Sequence, residues 1–217
     1  RMKMISQFGI STEKLSVINM GFDRNIFCFH QNEEEKRKET FIILFVGRLI
    51  PVKGFELLID AIEKLNLQPE NYFDCVVIGE GSYKSKYEDT IREKKLVSRF
   101  KFLDPLEQKE VAHWMRKSNA VVIPSYDEGF GLVAIESLAC GTPVIASKVG
   151  GLKEIIHDSV NGYFITPGRA NELKDKINLF MKNPNVISPK MCVKSISQFD
   201  ADVQVDQLQK LYTRMIV

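Results

Sequence analysis

Short apolar runs alternate with longer amphipathic stretches along most of this sequence. The strand-like runs lie at 41–46, 73–78, 99–103, 120–123, 143–146 and 162–165, and the helix-like stretches lie at 54–66, 82–96, 107–117, 131–140, 151–157 and 170–182. Strands separated by helices form parallel sheets, because each helix returns the chain to the edge from which the next strand starts. The alternation therefore predicts an α/β fold, a Rossmann-like parallel sheet flanked by helices.

A glycine-rich turn that carries two glutamates follows the apolar run at 120–123. Helical spacing begins at Gly131, so the turn leads into a helix N-terminus, where free N–H groups and the positive end of the helix dipole favour an anion. Glu128 lies in the turn and Glu136 on the helix, and a carboxylate can accept hydrogen bonds from two vicinal hydroxyls. The pattern predicts a ligand with phosphate in the middle and diols at both ends. The alternative is that Glu128 only favours the helix start and Glu136 is a solvated helix residue.

Two cations follow the first apolar run of the predicted sheet. Arg48 and Lys53 come directly after the run at 41–46, and open α/β sheets bind ligands at the carboxyl ends of their strands. We therefore expect both side chains to neutralise a diphosphate, although such cations are also common on a solvated loop. Gly79, after the run at 73–78, is a candidate for the same cleft, and turn geometry alone is the other explanation for it.

Four segments occur in an order that resembles one enzyme family. They lie at 47–54, 77–81, 124–136 and 141–154. Together they are similar to the C-terminal, donor-binding domain of the retaining GT-B "group 1" glycosyltransferases, which are glycosyltransferase family 4-like, and the likeness spans roughly 42–180. Each motif alone is common, whereas four in the family's order are specific.

The resemblance implies an activity and a set of site residues. It implies transfer of a hexose, with retention, from a UDP- or GDP-sugar to a glycan or lipid-linked acceptor, with no cofactor besides the donor. We expect this transfer to be metal-independent, because Arg48, Lys53 and the helix start can stabilise the leaving phosphate and no clear Asp-x-Asp motif ends a strand. In it, Arg48 and Lys53 bind the diphosphate, Glu136 binds the ribose diol and Glu128 lies at the sugar. The backbone amides that would contact sugar hydroxyls and phosphate belong to Gly129, Phe130, Gly131 and Leu132.

The resemblance also implies a domain organisation. It makes 1–40 a linker and entry segment from an N-terminal acceptor domain, 41–185 the nucleotide-sugar-binding domain, and 186–217 a helical tail. Without the acceptor domain, the donor domain alone is expected to be inactive. Two alternatives remain open, a noncatalytic sugar-nucleotide-binding module and a GT-B-fold sugar-nucleotide epimerase. The charged residues at 48, 53, 128 and 136 count against the noncatalytic module.

Composition and cysteine placement exclude several other classes. The net charge of +2 over 217 residues leaves no basic footprint for nucleic acid. The histidines and the four cysteines are scattered without metal-ligand spacing, and Cys75 and Cys140 fall in predicted core elements as small buried hydrophobes. No apolar run approaches 18 residues. We therefore expect a cytoplasmic protein. The resemblance implies polysaccharide or glycolipid assembly as its setting, and a peripheral contact of the full-length protein with the inner face of the membrane stays open.

Overall fold

Six short strands pair in parallel to form one sheet. A computed structural model describes residues 9, 11, 15–30, 40–67 and 72–216 of the chain. Its strands are β1 (Phe41–Val46), β2 (Phe73–Ile78), β3 (Phe100–Leu103), β4 (Ala120–Ile123), β5 (Val144–Ser147) and β6 (Gly162–Ile165). Their order across the sheet is β3-β2-β1-β4-β5-β6. The predicted fold class, a Rossmann-like parallel sheet flanked by helices, is confirmed.

A helix follows each strand, and two more helices end the described chain. They are α1 (Phe55–Asn66), α2 (Lys84–Glu93), α3 (Gln108–Lys117), α4 (Leu132–Ala139), α5 (Leu152–Ile155), α6 (Ala170–Lys182), α7 (Pro189–Ser195) and α8 (Ala201–Ile216). Helix α2 is shorter than the predicted 82–96, because Lys95 adopts a left-handed φ of 57° that stops the helix. The helical pattern expected at the end of the chain is divided between α7 and α8 by a 3-10 turn, Ser197–Phe199.

The central strands are buried on both faces. In β1, Ile43 and Leu44 point to opposite faces and both are fully buried. Helices α1 and α6 pack against each other, while α4 packs against α3, α5 and α7. Two helical layers therefore cover the sheet, which explains why its strands are continuous apolar runs rather than alternating ones.

The order of the strands places a crevice between β1 and β4. From β1 the chain builds β2 and β3 on one side, and it then returns to place β4 on the other side of β1. The loops that leave β1 and β4 therefore diverge, and the carboxyl ends of such strands are where open α/β sheets bind ligands. The predicted cations follow β1, and the predicted glutamate turn follows β4.

The entry segment pairs with the C-terminal region. The Phe22 N–H donates to the Phe199 carbonyl at 3.0 Å, and the Ala201 N–H donates to the Phe22 carbonyl at 3.1 Å. Residues 31–39 of the predicted entry segment lie outside the described residues. This backbone pairing joins the start of α8 to the predicted entry segment, near the other end of the sequence.

None of the cysteines among the described residues forms a disulfide. Cys75 and Cys140 are fully buried, as the sequence predicted, and Cys192 is buried with them. Within the described ranges, no three His, Cys, Asp or Glu side chains are grouped so as to hold a metal ion. Across the same residues, no helix combines the length and apolarity that a bilayer span requires.

Candidate functional site

The loops after β1 and β4 touch through their backbones. The β1 loop ends in a 3-10 turn, Pro51–Lys53, followed by Gly54 at φ 65°. A Cβ atom at Gly54 would overlap the carbonyl oxygen of Pro124 at the end of β4, so only glycine fits there. The Tyr126 N–H also donates to the Val52 carbonyl at 2.8 Å. The positions of the two loops are therefore fixed relative to each other.

A partly buried ion pair spans the junction of these loops. The Lys53 Nζ donates to Glu128 Oε2 at 2.7 Å, and the two side chains are 21% and 16% exposed. Ser125 Oγ lies 3.5 Å from the same carboxylate oxygen, which makes it a weak second donor. Because water is largely excluded, this pair is screened less than a surface ion pair. A phosphate that enters here would compete with Glu128 for the lysine ammonium group.

A small cavity opens beside this ion pair. Its volume is about 200 Å³, and it lies over the carboxyl ends of β1 and β4. Among the described residues that line it, Lys53 and Glu128 carry charge and the walls are mainly apolar. These apolar walls come from Met20, Phe45, Val46, Val122, Ile123, Phe130, Leu132 and Val133. Ligand pockets usually measure about 300 to 1,000 Å³, so this cavity accommodates one moiety of a larger ligand.

Helix α4 begins at the edge of the cavity. Its N-cap, Gly131, has a φ of 101°, and no side chain caps the helix. The backbone N–H groups of Leu132 and Val133 therefore have no carbonyl one turn before them within the helix. Both residues line the cavity together with Gly131. Such a helix start can donate hydrogen bonds to an anion without any further side chain.

Glu136 lies one turn further along α4, beneath the helix start. Its carboxylate makes no hydrogen bond or ion pair with any described residue, and burial raises its pKa from 4.5 to about 7. A partly buried carboxylate without a partner is destabilised relative to its protonated form. A pair of ligand hydroxyls would supply the hydrogen bonds that the carboxylate lacks.

We expect the Glu136→Gln variant to be more stable than the native protein at pH 8 and equally stable at pH 4. With a pKa raised from 4.5 to about 7, the folded protein holds a proton that the unfolded chain has lost in this interval. The stability that this proton provides is complete below pH 4.5 and is lost as pH rises through 7. The difference at pH 8 should be about 2 kcal/mol, allowing for partial solvent screening.

Urea unfolding between pH 4 and pH 8 measures this difference. Glu154→Gln, at an exposed position on α5, is the matched control. An equal effect of Glu136→Gln at both pH values would contradict the argument, because a carboxyl with a raised pKa must contribute in a pH-dependent way.

The structure brings together some of the predicted site residues. Those that line the cavity are Lys53, Glu128, Phe130, Gly131 and Leu132, and those outside the lining are Arg48, Gly79, Gly129 and Glu136. Arg48 is exposed on the β1 loop, and Gly79 packs against the carbonyl of Gly47 in that loop. The roles assigned to individual residues from the sequence stay predictions.

Sequence reasoning did not single out the cavity walls or the direct ion pair. Phe45 and Val122 are strand residues, and their position near the carboxyl ends of β1 and β4 is the signal that identifies them as walls. Met20 comes from the entry segment, and no local pattern connects it with the cavity. Lys53 and Glu128 were expected on different parts of one ligand, whereas here they contact each other.

Solved structures of other proteins share this fold. The Anabaena protein Alr3699/HepE, solved in complex with UDP, matches with a TM-score of 0.84 and 25% identity over 98% of this chain and 61% of that chain. The C-terminal domain of a glycosyl transferase group 1 family protein (LpcC) from Francisella tularensis matches with a TM-score of 0.66 and 28% identity. That match covers 87% of this chain and 98% of the solved domain.

Sequence comparison gives the same grouping. An uncharacterized glycosyltransferase of Methanocaldococcus jannaschii is 41% identical over 140 residues, or 64% of this chain and 38% of that protein. The chain spans about half, or less, of the length of the curated relatives it matches. The model of the family described as glycosyl transferases group 1 matches residues 28–198. The resemblance predicted from the four motifs is therefore confirmed, and the chain belongs to this family of glycosyltransferases.

Proposed function

We propose that this chain is the donor-binding domain of a retaining glycosyltransferase that transfers a hexose from a nucleotide-diphosphate sugar without a metal ion. The observation that carries the proposal is the ion pair of Lys53 and Glu128, which lies beside a cavity between β1 and β4. One cation and one carboxylate at this point match a ligand that presents a phosphate next to hydroxyl groups. The chemistry follows from the charge that develops on each side of the bond to be broken.

Departure of the nucleoside diphosphate is the step that the site assists. The anomeric C–O bond breaks and its electron pair leaves with the diphosphate, while the acceptor oxygen bonds to the same face of the sugar and passes its proton to the departing diphosphate oxygen. Lys53, the start of α4 and the more exposed Arg48 supply positive charge to the leaving group. Glu128 orients the sugar and stabilises its positive reacting face, and Glu136 accepts hydrogen bonds from the ribose diol.

UDP is the nucleotide that the comparisons favour. Anabaena Alr3699/HepE, which shares this fold, was solved with UDP and with UDP-glucose. The cavity holds only one moiety, so the nucleoside is proposed to lie outside it, toward Glu136. The acceptor, a glycan or lipid-linked sugar, is proposed to bind mainly in the N-terminal acceptor domain of the complete enzyme. The proposed setting is cytoplasmic polysaccharide or glycolipid assembly, with peripheral membrane contact through the full-length protein.

We expect UDP to bind this chain and Lys53→Ala to weaken that binding by about 10- to 100-fold. A hydrogen bond to a charged group contributes about 1.5 to 3 kcal/mol, and each 1.4 kcal/mol is a tenfold change in affinity. Calorimetric titration with UDP, GDP and ADP, each with and without magnesium, measures the affinity and identifies the base.

The control for this titration is Lys210→Ala. Lys210 is an exposed cation on α8, paired with Asp206, and it does not line the cavity. Equal UDP affinity in the native and Lys53→Ala proteins would contradict the role given to Lys53. A requirement for magnesium would contradict the proposal that side-chain cations and the helix start are sufficient.

A further inference from the structure

The segment that follows β5 lies directly against the loop after β4 that carries Glu128, here called the glutamate loop. The Gly151 N–H donates to the Glu128 carbonyl at 3.1 Å. A Cβ atom at Gly150 would overlap the same carbonyl oxygen, and a Cβ atom at Gly151 would lie 2.6 Å from the Phe130 Cα. The backbone from Glu128 to Phe130 therefore rests on two residues that have no side chain.

The next residue of this segment continues the contact. The Leu152 side chain is fully buried, and its Cδ2 would lie 2.8 Å from a Cβ atom at Gly131. Residues 150–152 thus follow the glutamate loop from Glu128 to the N-cap of α4. Any side chain added at Gly150 or Gly151 would push this loop away from the segment.

The segment is itself fixed to the sheet. The Lys148 N–H donates to the Ile165 carbonyl at 2.9 Å, which continues the pairing of β5 with β6. The Glu154 N–H donates to the Gly151 carbonyl at 3.0 Å and closes the first turn of α5. A contact with residues 150–152 therefore fixes the position of Glu128 relative to the sheet, from which the loop that carries Lys53 also starts.

We propose that Gly150 and Gly151 are positioning residues that hold the Glu128 backbone where its carboxylate reaches Lys53. Two bonded contacts locate Glu128, one at its backbone with Gly151 and one at its side chain with Lys53. Displacing the backbone lengthens the ion pair. The consequence for donor binding rests on the proposed function, whereas the consequence for the ion pair does not.

Labelling of Lys53 tests the geometry. Limited acetylation read by mass spectrometry should modify Lys53 about fivefold faster in Gly150→Ala and Gly151→Ala than in the native protein. The factor follows because loss of an ion pair of about 1 kcal/mol makes the amine about five times more available. Lys53 should be modified equally fast in Glu128→Gln, which removes the ion pair directly. Gly151 has a φ of −69°, so alanine adds only the contact there. Gly168→Ala is the control and should leave labelling unchanged. Gly168, with a φ of 79°, is left-handed like Gly150, but a Cβ atom added to it would lie 3.7 Å from its nearest neighbour.

A reciprocal measurement uses a variant that leaves the glycines intact. If the segment positions Glu128 for Lys53, the ion pair must stabilise the contact with the segment by the same coupling. Hydrogen exchange of the Gly151 amide should therefore be about fivefold faster in Lys53→Met. The Asn183 amide, which donates to the Leu179 carbonyl at the end of α6, should be unchanged. This result decides the matter if the Gly150→Ala protein does not fold.

The outcomes separate this inference from the proposed function. Unchanged Lys53 labelling in folded Gly151→Ala, or unchanged Gly151 exchange in Lys53→Met, would overturn the positioning role. Faster labelling together with UDP binding at least as tight as in the native protein supports both, because Glu128 in Gly151→Ala then no longer competes with phosphate for Lys53. Faster labelling of Lys53 in Gly151→Ala, combined with a native protein that binds no nucleotide, would keep the positioning role and reject the donor site.

Discussion

Replacing Glu128 with alanine is expected to lower sugar transfer by the complete enzyme about 10²- to 10³-fold while UDP binds at least as tightly as before. Loss of one group that stabilises developing charge commonly costs this factor in rate. Nucleotide affinity should not fall, because Glu128 occupies the Lys53 ammonium group at 2.7 Å and competes with phosphate for it. Steady-state kinetics of the complete enzyme and calorimetry with UDP measure the two effects separately.

Glu136→Ala is the matched control for this experiment. It removes a carboxylate from the helix that starts beside the cavity, and it should weaken UDP binding with a smaller loss of turnover, because the ribose lies away from the reacting carbon. An equal loss of nucleotide affinity in both variants would contradict the division of roles. A Glu128→Ala enzyme that turns over at the native rate would show that the ion pair has no part in the reaction.

Periodicity and strand-breaking residues were sufficient to predict the sheet. Pro124 follows β4, and glycines are the N-cap residues of α1, α4 and α5, so sequence and structure agree closely at these boundaries. The disagreement at α2 has a local cause. Lys95 adopts a left-handed conformation that most residues avoid, and no glycine or proline announces it.

The location of the site was also predictable, but its internal contacts were not. Strand ends placed Lys53 and Glu128 at one edge of the sheet, because parallel strands end together. Their 2.7 Å contact joins residues 75 positions apart, and it depends on how the backbones of two loops meet. The raised pKa of Glu136 depends in the same way on burial by other parts of the fold.

The packing of Phe55 leads to the largest expected effect on stability. Phe55 starts α1 immediately after Gly54, and its side chain is fully buried. Its ring lies edge-on, with centroid distances of 4.9 to 6.0 Å, to four aromatic rings, those of Phe45, Tyr87, Phe100 and Phe102. Edge-to-face pairs contribute beyond the area that they bury. This cluster joins α1 and α2 to strands β1 and β3, directly after the loop that carries Lys53.

We therefore expect Phe55→Ala to lower the free energy of unfolding by about 3 to 5 kcal/mol, a large part of the 5 to 15 kcal/mol typical of a domain. Urea unfolding measures this as a shift of the midpoint at an unchanged slope. Tyr72→Ala, which removes an aromatic ring that is 79% exposed, should change stability by less than about 0.5 kcal/mol.

Because Phe55 fixes the start of α1 two residues after Lys53, a Phe55→Leu protein that remains folded should also bind UDP more weakly. If Phe55→Ala lowers the free energy of unfolding by less than about 1 kcal/mol, the four neighbouring rings must move into the space left by the Phe55 ring. The aromatic cluster would then not fix the loop that carries Lys53.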